Sequence, residues 1–119
     1  MPPDDSLVVV TGATGYVGGR LVPQLLAAGY RVRCVARRPE QLSDRLWKDQ
    51  VEIVQADLSK PDEVSLALKD ATSAYYLLHS MSSSNDFAKV ESSMAQEFAI
   101  AAEAQNLDQI VYLGGLGHD

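Results

Sequence analysis

A single cysteine, Cys34, excludes an intramolecular disulfide, and with only two histidines no Cys/His spacing suggests a metal site. Basic residues are outnumbered, 10 against 16 acidic, for a formal net charge of −6. That balance argues against a nucleic-acid partner. No apolar run reaches membrane-spanning length, so no membrane association is expected. The opening Met1-Pro2-Pro3-Asp4-Asp5-Ser6 is acidic and lacks the basic n-region of a signal peptide. Residues 1–6 therefore read as a disordered lead-in, and a cytoplasmic location is expected. What remains, 119 residues with 46% hydrophobic and 22% charged content, suits one globular domain with a modest core.

The most informative stretch is Val8-Val9-Val10-Thr11-Gly12-Ala13-Thr14-Gly15-Tyr16-Val17-Gly18-Gly19. A β-branched run ends in a Gly-x-x-Gly-x-x-Gly turn and leads into a segment with Val17, Leu21, Leu25 and Ala28 at helical spacing. This is the layout of a strand, a phosphate-binding turn and a helix. Gly12 lets the chain leave the strand, Gly15 lets the backbone approach a pyrophosphate, and Gly18 lets the helix lie close to the sheet. The N–H groups of Gly15, Tyr16 and Val17, with Thr14 beside them, would face the phosphates with the helix dipole behind them. Pro23 falls within the helix and should cost it one hydrogen bond, and Gly29 should stop it.

Strand and helix signals then alternate. Strands are predicted at 31–36, 51–56, 74–78 and 110–113. A short helical connection is predicted at 39–47, a helix starting near Ser59 and Pro61 with Val64, Leu66 and Leu68 as its apolar face, and a long helix over 86–105. In that long helix Phe87, Val90, Met94 and Phe98 should form the core stripe, while Ala101 and Ala102 permit close packing. Such alternation implies an α/β, doubly wound parallel sheet of Rossmann type, strand order 3-2-1-4-5, cut off after strand five. The ends of the strands should then carry the function.

At the end of strand two, the position of the acid that would hold a ribose 2′-hydroxyl, the chain has Arg37 and Arg38. With Arg31 and Arg33 they crowd one segment, which suggests a local anion site. Arg37 suits a 2′-phosphate through a charge-assisted fork, so NADP is favoured, with NAD as the alternative cofactor. Arg38 either stacks on the adenine or faces water. Asp57 and Leu58, after strand three, would contact the adenine amino group and cover its ring. A role for Asp57 as a turn cap is compatible with that. His79 and Ser80 leave strand four on the cofactor side and are weak candidates for proton chemistry, against a structural role. Tyr75 and Tyr76 read as packing, and Cys34 as a buried inert thiol.

Together these residues resemble the atypical and extended short-chain dehydrogenase/reductase proteins, above all the NmrA-like, NAD(P)H-binding group. The resemblance rests on Thr11 to Gly19, Val32-Arg33-Cys34-Val35-Ala36-Arg37, Gln55-Ala56-Asp57-Leu58, Tyr75-Tyr76-Leu77-Leu78-His79-Ser80-Met81 and Ile110-Val111-Tyr112-Leu113-Gly114-Gly115-Leu116. It implies an NAD(P)-binding domain over residues 7–119, with cofactor roles for Gly12, Gly15, Gly18, Arg37, Asp57 and Leu58. The catalytic Tyr-x-x-x-Lys pair of that superfamily has no counterpart here. The chain is therefore expected to be the cofactor half of an oxidoreductase, inactive alone, its substrate lobe absent. The alternative is a cofactor-sensing module without turnover. Strand five (110–113), short and uncharged, is expected to leave an edge, so that the chain either self-associates through it or is marginally stable and aggregation-prone.

Overall fold

A computed structural model of the chain describes residues 6–12, 16–77 and 85–113. Five strands, β1 (Leu7–Thr11), β2 (Arg31–Ala36), β3 (Glu52–Gln55), β4 (Ser73–Leu77) and β5 (Gln109–Leu113), form one sheet in the order β3-β2-β1-β4-β5. Every pairing is parallel. Parallel neighbours need crossovers, and α1 (Tyr16–Ala27), α2 (Pro61–Ala67) and α3 (Asn85–Ala104) supply three of them. The predicted fold class and strand order are borne out.

Alternation along the strands sorts the apolar side chains onto two faces. Leu7 and Val9 of β1 join Val35, Val64, Leu68, Ala74, Tyr76 and Phe98 on the face covered by α2 and α3. Val8 and Val10 point the other way, to Val22, Leu25, Val32, Cys34, Leu42 and Trp47 beside α1. All five residues of β1 are buried, as a central strand between two helical layers requires. The Tyr76 ring meets Phe98 edge-on at 4.7 Å, which ties β4 to α3.

Two helices end in the same way. In α1, Gly29 N–H donates to the Leu26 carbonyl and Tyr30 N–H to Leu25, with Gly29 at φ 95°. In α3, Asn106 N–H donates to Glu103 and Leu107 N–H to Ala102, with Asn106 at φ 62°. Both are paired closures through a left-handed residue, which satisfy carbonyls left open at a helix end.

Two expectations about the helical segments are corrected. Residues 39–47 are not one helix: a 3₁₀ turn spans Pro39–Leu42 and a second lies beyond the segment at Lys48–Gln50, with Leu42 and Trp47 buried. Leu66 is 70% exposed, because positions 64, 66 and 68 do not share one face of a helix. Only Val64 and Leu68 reach the core. Of the predicted stripe on α3, Phe98 is buried, with Ala101 and Ala102 beside it. Phe87, Val90 and Met94 are described only as helix backbone.

Candidate functional site

The carboxyl ends of β1, β2 and β3 lie side by side, because the strands are parallel and adjacent. From β1 the chain passes through Thr11, whose buried hydroxyl donates to the Tyr75 carbonyl at 3.4 Å, into Gly12. Gly12 has φ 75°, a left-handed angle that would cost a residue with a Cβ roughly 1–2 kcal/mol. Tyr16 and Val17 open α1, and Gly18 is buried in its first turn. Thr14 and Gly15, at the predicted point of closest phosphate approach, lie outside the described residues, as do His79 and Ser80.

At the ends of β2 and β3 a cavity of about 410 Å³ is lined by Arg37, Gln55, Ala56, Asp57, Lys60 and Glu63. Two predicted site residues from different strands, Arg37 and Asp57, thus meet in one pocket. Gln55 Nε2 donates to the Arg37 carbonyl at 3.3 Å and fixes the backbone on leaving β2. Among the described residues the Arg37 side chain makes no hydrogen bond or ion pair, so its fork is open to a ligand. Arg38 is exposed and starts the following 3₁₀ turn; Leu58 is half-buried against the core; neither lines the pocket.

The acidic side of the pocket is internally engaged. Asp57 Oδ1 accepts from the Ser59 hydroxyl at 2.7 Å and the Ser59 N–H at 2.9 Å, closing a tight turn. These two bonds, with the charges of Lys60 and Arg37 adding to them, hold the Asp57 carboxyl below its ordinary range. Glu63, in the first turn of α2, accepts the Asp57 N–H at 2.7 Å through Oε1 and faces the Lys60 ammonium at 3.8 Å through Oε2. The cap role of Asp57 therefore coexists with its place in the pocket.

Arg33 does not belong to the expected anion site. It points to the α2 face and its guanidinium is taken up by Glu52 and by the carbonyls of Ala67 and Lys69. Lys60 and Glu63 were missed in the sequence. The signal was there: a lysine following Asp57-Leu58-Ser59, and an acid in the first turn of a helix opened by Pro61. Among the described residues no group of His, Cys, Asp and Glu could hold a metal ion, and no helix is long and apolar enough to cross a membrane.

A family model described as NAD(P)H-binding matches residues 12–119. Among curated proteins the chain is similar to Protein TIC 62, chloroplastic, from Pisum sativum, at 33% identity over 85 residues, 58% of this chain and 16% of that protein. Among solved structures it superposes on Pen from Bacillus thuringiensis with a TM-score of 0.80 at 22% identity, over 92% of this chain and 37% of that one. The Citrobacter sp. triphenylmethane reductase complexed with NADP(H) follows at a TM-score of 0.70 and 24% identity, over 88% of this chain and 36% of that one. The structural likenesses show the fold. The chain spans about a sixth of the curated relative and little more than a third of each solved structure.

Proposed function

Since the chain belongs to the NAD(P)H-binding family, we propose that it binds NADP(H) in preference to NAD(H) and is the cofactor half of an oxidoreductase. Binding of a nicotinamide dinucleotide follows from the family; the preference rests on Arg37. Its fork stands at the end of β2, unengaged among the described residues, in a pocket with room for the adenosine end of a dinucleotide. An acid at that place would repel a 2′-phosphate, whereas a guanidinium takes it in a bidentate, charge-assisted contact. The residues present also fit the rest of the group. Gly12 carries the chain round at a left-handed angle, and α1 starts directly after the turn that would meet the pyrophosphate.

When bound, the nicotinamide supplies hydride chemistry, and the protein supplies position. On this reading Gly12, Thr14, Gly15, Tyr16, Val17 and Gly18 seat the diphosphate, Arg37 the 2′-phosphate, and Asp57 the adenine edge. Arg38 and Leu58, which do not line the pocket, are left without a role in it, and His79 and Ser80 would stand nearest the nicotinamide. Catalysis belongs to the longer protein, in keeping with the lack of a Tyr-x-x-x-Lys pair in this sequence. The domain is taken as residues 7–119, and a reducing compartment such as the cytoplasm suits the buried free thiol of Cys34.

Fluorescence titration with NADPH and NADH tests the reading. NADPH should bind tighter, and Arg37→Ala should remove about 1.5–3 kcal/mol of NADPH binding while sparing NADH. A variant that kept the full preference would sink the assignment.

A further inference from the structure

The cavity at the ends of β2 and β3 holds a second cation besides Arg37. We propose that Lys60 is a cofactor-selecting residue, whose ammonium exchanges Glu63 for the 2′-phosphate when NADP(H) binds. This rests on the NADP(H) reading above.

Three observations carry it. Lys60 and Arg37 come from different loops, yet line one cavity of about 410 Å³, so both lie within reach of one anion there. The Lys60–Glu63 pair is loose, 3.8 Å between side chains that are 63% and 40% exposed, and pairs of that kind hold little free energy against a competing anion. Neither carboxylate of the pocket is free to follow. Asp57 is bonded twice to Ser59, and Glu63 is anchored by the Asp57 N–H at 2.7 Å.

Exchange therefore moves only the lysine. Glu63 stays on the backbone N–H, and the flexible four-carbon stem of Lys60 swings to the ligand. The division of labour matches the two side chains: the planar Arg37 fork gives direction, and the lysine adds a point charge. Glu63 then acts as a competitor for the same ammonium. It sets how much discrimination Lys60 contributes, and it keeps the cation from drawing in other anions before the cofactor arrives.

The test titrates wild-type chain, Lys60→Gln, Lys60→Arg and Glu63→Gln with NADPH and NADH at one low salt concentration. Lys60→Gln should weaken NADPH roughly tenfold, leave NADH within about twofold, and be rescued by Lys60→Arg. Glu63→Gln keeps an acceptor for the Asp57 N–H and removes the competing charge, so NADPH should bind about two- to threefold tighter with NADH unchanged. Equal loss of both cofactors in Lys60→Gln, or no loss of either, overturns the role of Lys60. If Arg37→Ala still abolishes the preference, the NADP(H) reading stands without it. Unchanged or weaker NADPH binding in Glu63→Gln overturns the exchange. Equal affinity of the wild-type chain for both cofactors removes the reading and this inference together.

Discussion

Arg33 and Glu52 are register partners on β2 and β3, and the Arg33 Nε donates to the Glu52 carboxylate at 3.0 Å. The same guanidinium reaches past the sheet: its Nη1 donates to the carbonyls of Ala67 and Lys69, each at 2.8 Å. One nearly buried cation thus closes the carboxyl end of α2, where helix carbonyls lack partners and a positive charge is favoured. The opposite end of α2 carries Glu63 and the proposed cofactor pocket, so Arg33 also fixes the helix that lines it.

The two partners should not be equivalent. Arg33→Met leaves two carbonyls without a donor and should cost about 3 kcal/mol of stability. Glu52→Gln, at a side chain 52% exposed, should cost under about 1 kcal/mol. Urea denaturation of both variants measures the difference. Equal losses would mean that the helix carbonyls are not what Arg33 serves.

The turn after β1 makes a separate prediction. Gly12 at φ 75° should tolerate neither alanine nor valine without a backbone cost, about 1–2 kcal/mol for Gly12→Ala. On the proposed reading cofactor binding should fall by far more than stability, because Gly12 leads into the stretch assigned to the diphosphate. A thermal melt and an NADPH titration on the same sample separate the two effects. A Gly12→Ala variant that binds as the parent does would make the turn a plain connection.

Much of this molecule could be read from its residues. The strand order followed from the alternation of short β-branched runs with helices, since parallel strands leave few ways to connect them. Cys34 and Tyr76 read as buried from their place within predicted strands and Phe98 from helical spacing, and each is buried. Leu66 faces solvent because i, i+2 spacing from Val64 does not keep to one helical face. Four arginines lie close in sequence without forming one patch, because strand alternation sends Arg33 into the α2 face while Arg37 lies beyond the strand. Lys60 and Glu63 stand close to Asp57 in the sequence, but nothing local says that their side chains turn towards Arg37 rather than to solvent.

Cys34 gives a pH prediction. It is fully buried beside α1, and burial pushes its thiol from an ordinary 9.0 up to about 12. The folded value lies above the unfolded one, so its contribution to stability is intact below about 9.0 and is lost as pH climbs towards about 12. Melts over an alkaline series should fall more steeply for the parent chain than for Cys34→Ala. At neutral pH the native thiol should resist iodoacetamide and react only once urea unfolds the protein. Rapid alkylation of the folded chain would contradict its place in the core.

The outer edge of the sheet supplies the last prediction. β5 is bonded to β4 on one side, and among the described residues nothing pairs with its other side. Tyr112 leans towards Tyr76 at 5.8 Å between ring centres, yet it remains 45% exposed, and β5 carries no charged side chain to discourage a partner. An uncharged strand with a free row of N–H and C=O groups is a template for a second strand. We therefore expect this chain to associate with itself through residues 109–113, with a mass that rises with concentration in size-exclusion chromatography coupled to light scattering. Tyr112→Lys should return it towards the monomer, because a charge on an edge opposes pairing while the half-exposed position tolerates it. A parent chain that runs as a monomer at every concentration, and melts no differently from Tyr112→Lys, would refute association through this edge.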